Sequence, residues 1–232
     1  MYYFYTDPIY LILLIPILAL TIYAQAKVSG NYSKYGKIRN SRGLTGAQAA
    51  QAVLQSHGVY DVGIQRISGH LSDHYDPRDN VIRLSADVYD SASIASVGVA
   101  AHEAGHAVQY AVGYSPIKIR MAILPVTQFG SQFGIIALIL GIVLYWEPLF
   151  LAGIVLFSFT TLFQLVTLPV EFNASRRAIE TIEGEHLLEG EEVRGAQKVL
   201  SAAALTYVAA LLMSILQLLR YVMIFAGHRR DD

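Results

Sequence analysis

Residues Pro8 to Ala24 read PIYLILLIPILALTIYA, seventeen positions without a charged side chain. Three more apolar stretches follow. The first covers about Pro125 to Trp146, polar at Gln128, Ser131 and Gln132 and then GIIALILGIVLYW. The others are Leu149 to Leu168 and Val199 to Leu219. Each approaches the ~20 residues a helix needs to cross the hydrocarbon of a bilayer. A helix closes its backbone hydrogen bonds internally, which a lipid environment demands. The pattern predicts a mainly α membrane protein with four transmembrane helices. The first stretch has no basic residue ahead of it and no evident small-residue cleavage site, so it reads as an anchor.

Composition supports this class. Hydrophobic residues make up 54% of the 232 positions and charged residues 15%, against about 25% charged in soluble domains. A formal net charge of −1 and the lack of a basic tract give no reason to expect a nucleic-acid partner. The chain has no cysteine, so a metal would have to be held by His, Asp or Glu.

Basic residues collect on the cytoplasmic flanks of membrane helices. Lys27, Lys34, Lys37, Arg39 and Arg42 follow the first stretch, and Lys118 and Arg120 precede the second. The turn Trp146-Glu147-Pro148 has none, whereas Arg176, Arg177, Arg194 and Lys198 lie between the third and fourth. This predicts an N-terminus outside and both polar segments in the cytoplasm; only Arg229 and Arg230 in the tail disagree. The expected organisation is an anchor over 1–25, a cytoplasmic α+β segment over 26–120 and a transmembrane hairpin over 121–169. A cytoplasmic helical segment over 170–198 and a last span with its tail over 199–232 complete it.

Within the first polar segment, TGAQAAQAVLQSH (Thr45 to His57) predicts a helix with Thr45 as its N-cap and Gly58 as its stop. Asp61 to Ile67 and Asn80 to Leu84 read as short strands. The intervening HLSDHYDPRD, with its Asp76-Pro77 and Asp79-Asn80 pairs, reads as a loop. Ala92 to Val112 predicts a buried helix, small and apolar almost throughout, capped by Asp90 or Ser91.

That helix contains AAHEAGHAV. Four-residue spacing puts His102 and His106 on one face, one turn apart, where both can reach one ion. Zn²⁺ suits such nitrogen ligands. Glu103 lies about 100° around the helix, beside the metal position, where it can serve as a general base. Two histidines that merely hydrogen-bond in a core are the plain alternative. Three polar groups on an otherwise apolar helix are costly to bury without a purpose, which favours the metal.

A catalytic zinc wants three protein ligands and one open position. Glu171, in LPVEFNASRR just after the third apolar stretch, is the expected third ligand. The hairpin would bring its inner end back toward His106, and Pro169 would begin a new helix there. His74, Asn173, Ser175 and Arg177 are weaker candidates for substrate contacts or for hydrogen bonds behind the ligands. Asp76 has a turn explanation, His57 a capping one, and His70, His186 and His228 fall in surface segments.

With these residues in view, the chain resembles the YugP-like family of bacterial membrane zinc metallopeptidases. The matching stretches are SDHYDPRDNVIRLS (Ser72 to Ser85), VAAHEAGHAVQY (Val99 to Tyr110) and LPVEFNASRRA (Leu168 to Ala178). The resemblance implies a gluzincin-like plan, similar to the HtpX-type membrane proteases, in a zincin-like domain at the bacterial cell membrane. His102, His106 and Glu171 would hold one Zn²⁺, with Glu103 as the catalytic Glu. It implies that a strand before the motif helix, here Val81 to Ser85, pairs with extended substrate. In that pattern the position of Asn173 is usually an Asp, and HtpX-type enzymes have an Asp where Ser175 stands. The expected activity is hydrolysis of peptide bonds in membrane-associated proteins or peptides, and the sequence does not fix an oligomeric state. A catalytically silent zinc-binding scaffold, or a metal transporter, would be the competing roles. Intact Glu103 weighs against the first; Lys118 and Arg120, close after the motif, weigh against the second.

Overall fold

A computed structural model describes residues 8–70 and 72–228. In chain order the elements are α1 (Pro8–Tyr35), α2 (Gly46–Ser56), β1 (Gly63–Ile67), β2 (His74–Asp76), β3 (Val81–Ser85), α3 (Ala86–Tyr89), α4 (Ile94–Ala111), α5 (Ser115–Val143), α6 (Glu147–Gly184) and α7 (Glu191–His228). The four apolar stretches lie on α1, α5, α6 and α7, all long and apolar enough to cross a membrane. Each helix outruns the stretch that predicts it, because polar turns continue the same hydrogen-bond ladder.

The chain divides into two compact units. One gathers the chain through Tyr23, Lys118–Leu168 and the residues from Thr206 on. Its core holds Leu138, Phe150 and Ile154, with Phe157, Tyr221 and Phe225 packed against them. A Cβ on Gly153 would lie 2.7 Å from the Leu138 nitrogen, so the hairpin helices touch backbone to backbone. Ile12, Ile15, Ile139 and Val143 remain exposed, the kind of surface that lipid covers.

The other unit gathers Ala24–Ile117 and Pro169–Leu205. Thr45 caps α2 through a reciprocal box with Gln48, satisfying two N–H groups the helix start leaves open. Gly58, at φ +70°, ends it. The three strands are ordered β1-β3-β2, with β3 parallel to β1 and antiparallel to β2. Leu54, Ile82, Leu84, Val88, Val97, Val108, Ile182 and Leu188 are almost fully buried in one core. Each such side chain contributes about 1.5–3 kcal/mol relative to exposure.

Three local expectations need correction. The loop before β3 contains a strand, β2, whose three residues are too few for an alternation to show. Carboxylates hold it instead. Asp73 accepts from the Ser85 amide at 2.7 Å and its hydroxyl at 3.0 Å, and Asp76 accepts from Arg83 at 2.6 Å. The cap of α4 is Ser93, not Asp90 or Ser91; its hydroxyl accepts from the Ser96 amide. Pro169 begins no helix either, because α6 runs through it. Proline forgoes one ladder bond there, and Glu171 sits twenty-four positions past Glu147, in a helix interior.

Candidate metal centre

The buried side of α4 is built from small residues, among them Ala100, Ala101, Ala104 and Ala107. Small side chains let neighbouring backbones come close. One such approach is at Gly105, between the two histidines, where a Cβ would lie 2.7 Å from the Ala174 carbonyl oxygen of α6. Glu171 lies about one helical turn before Ala174 and Ser175 directly follows it; both reach the imidazoles of α4.

The Oε2 of Glu171 lies 3.3 Å from His102 Nε2 and 3.5 Å from His106 Nε2, and the Glu171 side chain is 3% exposed. Donor atoms of the three residues all fall within 4.8 Å of one another. Two ligands about 2.0–2.1 Å from a common tetrahedral ion stand about 3.3 Å apart. The separations therefore fit a zinc ion, and two imidazoles with a carboxylate form a donor set that zinc accepts. Each ring turns its Nδ1 away from this point. His102 Nδ1 lies 3.1 Å from Ser175 Oγ, and His106 Nδ1 lies 3.0 Å from Gln109 Oε1. Such bonds steady a ligand ring and set its tautomer.

Glu103 Oε2 accepts from the Tyr75 amide of β2 at 3.1 Å. Burial pushes the Glu103 carboxyl above the usual carboxylate range, against the pull of His102 and His106. Burial works against charge on His106 as well, but Glu171, Glu103 and Gln109 together outweigh it and hold that ring above the ordinary imidazole range. The Tyr75 phenol is pushed up to about 12, chiefly by burial; it donates to Asn80 at 2.7 Å.

The remaining candidates fall into place around this group. Ser175 reaches His102. Asn173 and Arg177 are joined at 2.9 Å, and Asn173 also receives the Gln109 amide at 3.0 Å. His74 begins β2, exposed, its Nδ1 2.7 Å from the Ser72 carbonyl. Asp76 accepts from the Arg78 amide at 2.9 Å, the turn contact its sequence suggests. His57 Nδ1 lies 2.9 Å from the Val53 carbonyl at the end of α2, and His70 meets Asp87 on the surface. The His228 side chain lies outside the described residues.

Sequence reading missed Gln109 and the backbone of Tyr75. Position 109 follows His106 by three, a spacing that shares its face and could have drawn notice. The strand expected to pair with substrate also needs correction. Val81 to Ser85 is the central strand, its ladders filled by β1 on one side and β2 on the other. The edge strands are β1 and β2, and β2 is the one that meets Glu103.

Comparison with known proteins gives a family and a relative. A family model described as "Putative neutral zinc metallopeptidase" matches residues 10–226. A Bacillus subtilis (strain 168) protein named "Putative membrane protease YugP" is 46% identical over 224 residues, covering 97% of this chain and 100% of that protein. No solved structure matches. This chain belongs to the YugP-like family, the group that model describes.

Proposed function

We propose that this protein is a membrane-anchored zinc endopeptidase that hydrolyses peptide bonds of membrane-associated proteins or peptides, in a gluzincin-like plan. The observation that carries the reading is the meeting of Glu171 with His102 and His106, one residue from Glu103. A zinc ion held by those three side chains would polarise the scissile carbonyl and bring the pKa of a water down to about 7. Glu103 takes a proton from the attacking water as the new C–O bond forms. It returns that proton to the amine as the C–N bond breaks. Its raised pKa suits the return step, since the carboxyl holds the proton readily. The Tyr75 amide engages Oε2 and leaves Oε1 for this transfer. An extended substrate would pair along the open edge of β2 by backbone hydrogen bonds. Flanking charges favour a catalytic side in the cytoplasm of a bacterial cell, so substrates would be met at the inner membrane surface.

The test is zinc content and peptide cleavage by the purified full chain in detergent. Wild type is expected to hold zinc and cleave. Glu103→Gln is expected to keep zinc and lose about 10²-fold or more in rate, and His102→Ala to lose both. Cleavage unaffected in Glu103→Gln, or wild type without stoichiometric zinc, would sink the proposal.

A further inference from the structure

A zinc ligand histidine must offer a bare nitrogen to the ion, which requires its proton on the other ring nitrogen. The two rings are treated differently. The Ser175 hydroxyl beside His102 can donate or accept, so it does not dictate where that ring carries its proton. Beside His106 stands Gln109, whose side chain is wholly buried.

A carboxamide has a donor end and an acceptor end, and its other contacts decide which end faces the ring. The far end of Gln109 lies 2.8 Å from the Val170 carbonyl, which can only accept. The same end lies 3.0 Å from Asn173 Oδ1. Asn173 is itself an amide, but Arg177 Nε, which can only donate, stands 2.9 Å from that oxygen. A carbonyl and a guanidinium, each of one polarity, thus orient both amides in series. Reversing Gln109 would set its oxygen against the Val170 carbonyl, where no solvent could compensate. The end that meets His106 Nδ1 at 3.0 Å is therefore the acceptor, Oε1.

We infer that Gln109, locked by Val170, Asn173 and Arg177, is the positioning residue that keeps the proton of His106 on Nδ1 and leaves Nε2 bare for the metal. The inference rests on the zinc reading above. Val170 precedes Glu171, so the same carboxamide also ties α4 to α6 beside the third ligand.

Zinc affinity of the full chain, measured by competition with a chelator, tests this without recourse to activity. Gln109→Met matches the length but lacks the acceptor, and should weaken zinc binding about tenfold or more. Asn173→Leu should weaken it similarly, whereas Asn173→Asp, which keeps the accepting oxygens, should restore affinity to within about threefold of wild type. Arg177→Met should weaken binding alone but add nothing in the Gln109→Met background, because both act through one chain of contacts. The absorption spectrum of the Co²⁺-loaded protein should change in Gln109→Met and in Asn173→Leu and stay near that of wild type in Asn173→Asp. Unaltered affinity in Gln109→Met, equal losses in the two Asn173 variants, or additive losses in the double variant would overturn the inference. If Gln109→Met does not fold, the Asn173 pair decides. Wild type that binds no zinc would overturn the zinc reading itself.

Discussion

Gly105 of α4 stands against Ala174 of α6 so closely that a single added methyl would lie 2.7 Å from a backbone oxygen. No flexible side chain is there to yield, so the two helices would have to part. Gly105→Ala should cost about 1–3 kcal/mol of stability, as overpacking does, and weaken zinc binding as Glu171 retreats from the rings. Gly30, on α1, has nothing within 4 Å of the same added atom. Gly30→Ala should be neutral or slightly stabilising, by up to about 1 kcal/mol. Thermal melts with zinc titration of both variants make the comparison.

The Tyr75 amide gives Glu103 its backbone contact, and it points away from β3 because the opposite side of β2 is already paired. Proline is tolerated where a strand's N–H faces outward. Tyr75→Pro should therefore keep the fold and the zinc while cleavage falls, through the loss of the Glu103 contact. Tyr75→Phe keeps the amide and loses only the bond to Asn80, so it should cleave far better than Tyr75→Pro. Equal rates for the two would show that the amide does not position Glu103.

Zinc binding should be linked to pH through His106. Burial lowers its pKa, but Glu171 and Glu103 raise it further, so the ring holds its proton above the ordinary imidazole range. An imidazole binds metal only when neutral. Affinity should then fall as pH drops through that raised value, with proton release visible in calorimetry repeated in buffers of different ionisation heat. Glu171→Gln removes the raising charge. It should weaken binding overall and move the onset of proton competition to lower pH.

A chain without cysteine permits a direct test of orientation. Gly30→Cys, after the first span, should react with an impermeant thiol reagent only once the cytoplasmic face is opened. Trp146→Cys, 55% exposed at the hairpin turn, should react in intact cells. The reverse pattern would invert the proposed topology.

Asp73 should matter for stability, because its half-buried carboxylate joins the start of β2 to the end of β3. Bonds to a charged acceptor contribute about 1.5–3 kcal/mol. Asp73→Ala should destabilise by that order and speed amide hydrogen exchange in β2 more than in β1.

Long apolar stretches declared the four long helices, since a span needs about 20 mostly apolar residues and shows itself by length rather than by period. The pairing of His102 with His106 was equally plain, being set by one turn of one helix. The absence of cysteine confined the donors to nitrogen and oxygen. What lay beyond the sequence depended on partners distant along the chain. Nothing local to Pro169 shows that α6 continues through it, or that Glu171 lies in a helix interior against α4. Three residues of β2 carry no period, so the edge of the sheet was assigned to β3 until the strand order was known. Gln109 reads as an ordinary polar residue until Val170, Asn173 and Arg177 surround it. Local periodicity records how a segment meets its solvent. Which segments meet each other follows from packing, here from a glycine small enough to let two backbones touch.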